Sequence, residues 1–438
     1  MPTYMKNNLL LLLLIYSFSG SIFCQNYTSY FTGNQNDSLT QGGGGVCLMG
    51  GATEHDNAMK WFLQRANGGD VLVLRASGSD GYNTYLYSDL GVSVNSVETI
   101  VFNNASAANE SYIQDKIKNA EAIWFAGGDQ WDYITYWRNT VIDSLINIGI
   151  LERNIVIGGT SAGMAIQGQY YFTAQNGTVT SSTALANPYQ TNVTISNDEF
   201  LLNNKLLYTI TDTHFDNPDR KGRLVTFLAR ILTDTGVQAR AIACDEYTAV
   251  CIDENGIAKS YGDYPNYDED IYFVQVNCDL GLNEVYPEVC QDNTPLTWDL
   301  NNEALIVYNI KGTNSANNSF DLNDWKTASG GTWKYWSVNN GLIAEQNING
   351  SSCVTLNTES LQDTFFNYHI ENNILKISNL DLSLKDIKLI DLNGKMIYYT
   401  YLQNENTMQI DLTSIQKGFY FLEVTNQKKK QVVKVLNF

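Results

Sequence analysis

Ser161 stands at the centre of Gly159-Thr160-Ser161-Ala162-Gly163, directly behind the apolar run "NIVI" (154–157). This spacing matches the nucleophile elbow, a sharp strand-to-helix turn that lifts a serine oxygen clear of a sheet. A serine hydroxyl attacks a carbonyl only with a general base in hydrogen-bond reach, and the base needs a third group to hold its tautomer. The chain has three histidines, His55, His214 and His369. His369 falls in the terminal block and reads as a surface residue, and His55 opens a helix and reads as capping. His214 follows the apolar "LLYTITD" and precedes a helix, so it stands at a strand end where it can meet Ser161. The stretch "ARAIACDEYTAVCID" offers Asp245 and Glu246 between two apolar strands, where an unpaired charge is costly. Either carboxylate can orient the imidazole. An oxyanion needs backbone donors, and these are available from Ala162 and from Gly127 or Gly128 in the "AGGDQ" turn.

These residues need a scaffold that brings distant strand ends together. From Val46 onward short apolar runs ("VCLMGG", "DVLVLRASG", "ETIVF", "AIWFAGG", "NIVIGG") alternate with helical segments ("EHDNAMKWFLQRA", "ESYIQDKIKNA", "WDYITYWRNTVIDSLINI"). The pattern predicts an α/β fold, a doubly wound, mostly parallel sheet covered by helices on both faces. In such sheets chemistry gathers at the carboxyl ends of the strands, where Gly50, Gly51, Gly127, Gly128, Gly158 and Gly159 lie. After about residue 255 strands and loops take over, completing or decorating the catalytic unit. Residues 296–365 read as a β-rich extension or linker, and 366–438 as a small antiparallel β-sandwich with period-2 alternation and an Asn393-Gly394 turn.

The first 24 residues have a basic start, an apolar centre and a small-residue end, the pattern of a secretory signal peptide. No later stretch is apolar enough to span a bilayer. With 46 acidic against 27 basic residues the formal charge is −19, which repels phosphate backbones and argues against a nucleic-acid partner. Of seven cysteines, six remain after the leader, without zinc-type pairing. A disulfide, Cys278 with Cys290 first, is expected before any metal, and no cofactor is expected.

"GGDQ" at 127–130, "GTSAGM" at 159–164, "DTHFDNPDRKGRL" at 212–224 and "DEYTAV" at 245–250 together resemble the motifs of cyanophycinases, serine exopeptidases related to the aspartyl dipeptidase peptidase E. The resemblance implies a class I glutamine amidotransferase-like architecture over 25–295. It also implies Ser161 as nucleophile, His214 as base, Glu246 as orienting carboxylate, and Gly128 and Ala162 as oxyanion donors. Gln130, Asp212, Arg220 and Arg223 would line the pocket for an aspartyl residue. Pro218 stands where the family carries a further arginine, between Asp216 and Asp219, which puts cyanophycin itself in question as substrate. The terminal block ("IKLIDLNGKMIY", "IDLTSIQKGFYFLEV") resembles C-terminal sorting domains of the type IX secretion system. That implies export through the periplasm to the surface or medium, with the secretion machinery as a partner.

The expected function is hydrolysis of aspartyl or isoaspartyl peptide bonds through an acyl-enzyme. A homodimer is compatible with the sequence. The alternatives are an amidohydrolase of the same fold with another substrate, and a surface binding protein with a dead pocket.

Overall fold

Runs of four to seven apolar residues form the central strands. The structure, a computed structural model, describes residues 25–281, 284–350, 367–371, 374–378, 380, 385–391, 395–402, 405–415, 418–426 and 430–437. The leader and the Asn393-Gly394 turn lie outside these residues. The chain divides into two units, one through Cys353 and one from Val354.

In the first unit, strands β1 (Tyr27–Gly33), β2 (Val46–Met49), β3 (Asp70–Arg75), β4 (Ser96–Phe102), β5 (Ala122–Phe125) and β6 (Val156–Thr160) belong to a ten-stranded sheet. Its centre runs β4-β3-β5-β6-β2, all parallel. Every residue of β2, β4, β5 and β6 is buried, the mark of strands covered on both faces. Antiparallel strands flank the centre: β1 beside β4, and Ala249–Ile252 beside β2. Helices α1 (Asp56–Gln64), α2 (Ser111–Asn119), α3 (Gln130–Trp137) and α4 (Val141–Glu152) connect the strands. The protein is thus an α/β fold with a large, centrally parallel sheet.

A second sheet was not resolved as such by the sequence. Thr209–Asp212 pairs in parallel with Arg240–Cys244, and Asp270–Val276, Leu305–Lys311, Gly331–Asn339 and Leu342–Ile348 follow in antiparallel order. Residues read as an extension or linker therefore build the first unit. Leu305–Val276 and Lys311–Asp270 close an unbroken seven-residue register, and Phe320 stacks on Phe273 at 4.1 Å. Leu48, Leu74 and Phe125 from one sheet share a core cluster with Ile242, Phe273 and Tyr308 from the other.

The second unit holds a three-stranded and a four-stranded antiparallel sheet. Leu375, Ile377, Ile387, Leu389, Ile410, Leu422 and Val424 form one core cluster from alternate positions of both sheets, so the block is a β-sandwich.

Cys290 is free and buried while Cys278 is disulfide-bonded, so the expected Cys278–Cys290 bridge is not made. No described helix is long and apolar enough to cross a membrane.

Glu121, at the head of β5, carries a pH-dependent strain. Its Oε2 accepts the Asp70 N–H at 2.8 Å, but burial, with Asp70 and Asp37 adding repulsion, pushes its carboxyl up to about 7. The unfolded carboxyl titrates near its ordinary value of 4.5. Between the two values the folded state keeps a proton that the unfolded state has released, so this group's contribution to stability falls as pH rises through that window. Glu121→Gln keeps the acceptor and cannot ionise. Its Tm, measured by calorimetry from pH 4.5 to 8, should decline less than that of the parent protein.

Candidate active site

The turn after β6 sets the geometry. Ser161 has φ 53° and ψ −119°, outside the regions L-residues favour, and helix α5 (Ala162–Ala165) starts at the next residue. Its N–H is held by the Met49 carbonyl of β2 at 3.1 Å. Gly163 follows from packing: a Cβ there would sit 2.0 Å from the Phe125 carbonyl oxygen. The glycine spacing read from the sequence is therefore a close backbone approach between α5 and β5.

His214 lies past the carboxyl end of Thr209–Asp212, itself at positive φ (47°), with its N–H bonded to the Gly50 carbonyl at 2.8 Å. Its Nε2 is 2.8 Å from Ser161 Oγ, and its Nδ1 is 2.6 Å from Glu246 Oε1. Gly51, at φ 116°, lies against the imidazole, and a Cβ on it would be 2.4 Å from Nε2. Glu246 sits on the turn between Arg240–Cys244 and Ala249–Ile252. The Asp216 carboxylate accepts its N–H at 2.8 Å, and Asn217 Nδ2 reaches its Oε2 at 3.4 Å. Of the two carboxylates the sequence left open, Glu246 meets the imidazole. Asp245 is buried and instead accepts the Asp270 N–H at 2.8 Å.

The other two histidines are elsewhere. His55 precedes α1 without making a side-chain cap bond, against the capping role expected of it. His369 belongs to the second unit.

A cleft of about 680 Å³ opens over Ser161 and His214, lined also by Glu54, Arg75, Tyr82 and Tyr85. Tyr82 donates to Glu54, and Tyr85 to Asp56 at 2.9 Å. Gly127 lines the cleft, and a Cβ on it would lie 3.6 Å from the Ser161 Cβ; one on Gly128 would instead meet the Tyr133 hydroxyl at 2.7 Å.

The expected pocket residues separate. Gln130, the first residue of α3, donates to the Phe172 carbonyl at 3.1 Å. Arg220 donates to the Thr213 carbonyl at 2.9 Å, and burial together with nearby Arg223 pushes its guanidinium down to about 10. Arg223 and Asp212, expected to line the pocket for the aspartyl residue, are engaged with each other. Each is 2–3% exposed, and they bind each other through two parallel hydrogen bonds, Nε–Oδ2 being 2.9 Å. The remaining Arg223 nitrogen donates to Thr178 Oγ1 at 3.1 Å, and the Phe172 ring covers the guanidinium. Arg75 is the cleft cation that sequence reasoning missed. It ends β3 and uses Nε and Nη1 on the Ser77 and Ser79 carbonyls. Its place at a strand's carboxyl end was the available signal.

With this geometry in hand, comparison with known proteins places the chain in a class. Residues 43–259 match the model of peptidase family S51, and residues 369–437 match that of the secretion system C-terminal sorting domain. The protein therefore carries an S51 peptidase domain joined to a sorting domain of type IX secretion, and it is secreted or displayed at the cell surface. No curated protein matches the chain. Among solved structures, a peptidase from an acI-B1 Actinobacterium is similar at 15% identity over 53% of this chain and 95% of its own, with a TM-score of 0.39. A putative peptidase E protein from Listeria monocytogenes EGD-e is similar at 18% identity over 50% and 98%, with a TM-score of 0.34. An immunoglobulin-like β-sandwich protein of the duf3244 family from Bacteroides vulgatus is similar at 14% identity over 17% and 83%, with a TM-score of 0.16.

Proposed function

We propose that the protein is a secreted serine peptidase that cleaves aspartyl or isoaspartyl peptide bonds with a Ser161–His214–Glu246 triad. The observation that carries this reading is the continuous chain from Ser161 Oγ through the imidazole to Glu246 Oε1, at 2.8 and 2.6 Å, on a strained elbow. In the first half-reaction Ser161 Oγ attacks the scissile carbonyl carbon while His214 Nε2 takes the hydroxyl proton. The negative oxygen is met by the Ala162 N–H and by an N–H of the Gly127–Gly128 turn. His214 then gives the proton to the departing amine, leaving an ester on Ser161. Water, deprotonated by the same nitrogen, attacks the ester; the ester C–O bond breaks as His214 returns that proton to Ser161 Oγ, releasing the acid and restoring the free serine. Glu246 accepts Nδ1–H, which keeps Nε2 available as base.

For substrate selection the free N–H groups of Arg75 supply a charge-assisted partner for the aspartyl carboxylate, with Arg220 and Gln130 behind the catalytic histidine and at the head of α3. Removing a charged hydrogen bond costs roughly 1.5–3 kcal/mol. Arg75→Gln should therefore lower kcat/KM for an aspartyl dipeptide by roughly 10- to 100-fold and leave the asparaginyl analogue nearly unchanged. Equal losses on both substrates would remove the carboxylate role.

The direct test is the purified mature protein against α- and β-aspartyl dipeptides, with products identified by mass, and a serine-reactive phosphonate to mark the nucleophile. Phosphonate adduct on Ser161 with no aspartyl cleavage would leave an amidohydrolase of another substrate class. No adduct and no cleavage would favour a binding protein.

A further inference from the structure

Three carboxylates from separate segments converge just behind the proposed triad. Asp216 lies two residues after His214, Asp245 immediately precedes Glu246, and Glu269 precedes the strand Asp270–Val276. One oxygen from each lies within 4.8 Å of the others. Asp245 is 4% exposed; its Oδ2 accepts the Asp270 N–H, but its Oδ1 is fully buried and has no hydrogen-bond partner among the described residues. A buried carboxylate oxygen with neither donor nor cation is costly, and the cost is relieved by a proton or by a cation in the space beside it. Lys311 does not fill that role, because it is engaged by Asp268 and Asp270 at 2.8 Å each.

We propose that Asp216, Asp245 and Glu269 form a site for one hard divalent cation of the calcium type. The donors are all oxygens, without the nitrogen or sulfur that zinc or copper prefers. Their mutual separation is at most 4.8 Å, no more than about twice a calcium–oxygen bond of roughly 2.4 Å, which is the range over which carboxylates share one ion. The burial gradient fits as well: Asp245 is buried, Glu269 half-buried and Asp216 exposed, so waters complete the shell on the solvent side. Cysteine and histidine counting could not find such a site, because its three members come from loops that only the tertiary fold brings together.

The ion would act on the catalytic machinery through position. Asp216 also holds the Glu246 N–H, and Asp245 is its chain neighbour, so a cation bridging these two loops clamps the turn that aims Glu246 at His214. Calcium is plentiful outside cells, which suits a weak site on an exported protein.

The test uses the full mature chain after treatment with a chelator, titrated with calcium chloride by calorimetry and followed by thermal unfolding. Expected are saturable binding with Kd near or below about 1 mM, a Tm that rises with calcium, and binding weakened roughly tenfold or more by Asp245→Asn and by Glu269→Gln. Ser161→Ala protein should bind calcium as the parent does, so failure of the triad reading and failure of this one are separable. Glu269→Gln, at the half-buried rim, carries the test if Asp245→Asn does not fold. No saturable binding up to ~10 mM calcium, or binding unaffected by the substitutions that fold, overturns the proposal. So does an Asp245→Asn protein of raised Tm in a background that calcium leaves unchanged, since that is the signature of a proton shared among the carboxylates.

Discussion

Ser161→Ala is expected to lower kcat on a cleaved aspartyl dipeptide by roughly 10⁴- to 10⁶-fold, with His214→Ala close behind it. The two together should cost little more than either alone, because members of one proton-relay unit are not additive. The backbone makes a second, independent measurement available. Ser161 is held at φ 53°, ψ −119°, a conformation that costs an L-residue about 1–3 kcal/mol. Alanine inherits that strain and glycine does not. Ser161→Gly should thus be as inactive as Ser161→Ala yet unfold at a higher temperature, the gain reduced by the larger entropy glycine loses on folding. An ordinary turn serine would behave differently: activity would survive alanine. Wild-type turnover by purified Ser161→Ala would end the nucleophile assignment, and equal Tm for the two variants would show that the elbow stores no strain.

What the sequence disclosed about this site was what is encoded locally. The elbow is five consecutive residues whose glycines answer to contacts with the neighbouring strand, and the alternation of four-residue apolar runs with amphipathic helices is set within each segment. His214 could be singled out because a polar residue between an apolar strand and a helix occupies a strand end. The choice between Asp245 and Glu246 was beyond local information. The two are adjacent, and which one faces the imidazole depends on Asp216 gripping the Glu246 amide while Asp270 donates to Asp245. Arg75 offered only its place at a strand's carboxyl end, and a strand-end arginine becomes a cleft residue only when β3 and β6 lie on either side of β5. The segment from Leu305 to Ile348 carried strong strand patterning, but nothing local told its pairing with Asp270–Val276 from a separate extension.

The Asp212–Arg223 pair is where local reading and tertiary structure diverge most, and it has the second large expected effect. Helix Lys221–Thr235 buries Leu224, Val225, Phe227 and Leu228 around Arg223, so the guanidinium enters the interior with its helix face and must find an anion there. Asp212, at the end of the neighbouring strand, supplies it through two parallel bonds, and Thr178 and Phe172 complete the enclosure. Arg223→Met leaves the buried Asp212 carboxylate without its countercharge, holding only the Thr213 N–H at 2.8 Å, which should cost about 3–5 kcal/mol of stability. Asp212→Asn combined with Arg223→Met should recover part of that loss, because the penalty lies in the unpaired charge and not in the absence of the pair. Arg223→Lys keeps the charge but loses the planar fork, so it too should lower the denaturation midpoint, by a smaller amount. The readout that decides the matter is the pair of measurements taken together: urea midpoints for the three variants, and their kcat/KM ratios for aspartyl over asparaginyl dipeptides. A scaffold ion pair moves the midpoints and leaves the ratio where it was, since the loss of folded protein scales both rates alike. Had the pair been the clamp for the substrate carboxylate, Arg223→Lys would collapse the ratio while the midpoint held. The engagement of Nε, Nη1 and Nη2 within the protein leaves Arg223 poorly placed to bind a substrate anion as well, which is why the proposed carboxylate partner is Arg75 on the cleft wall.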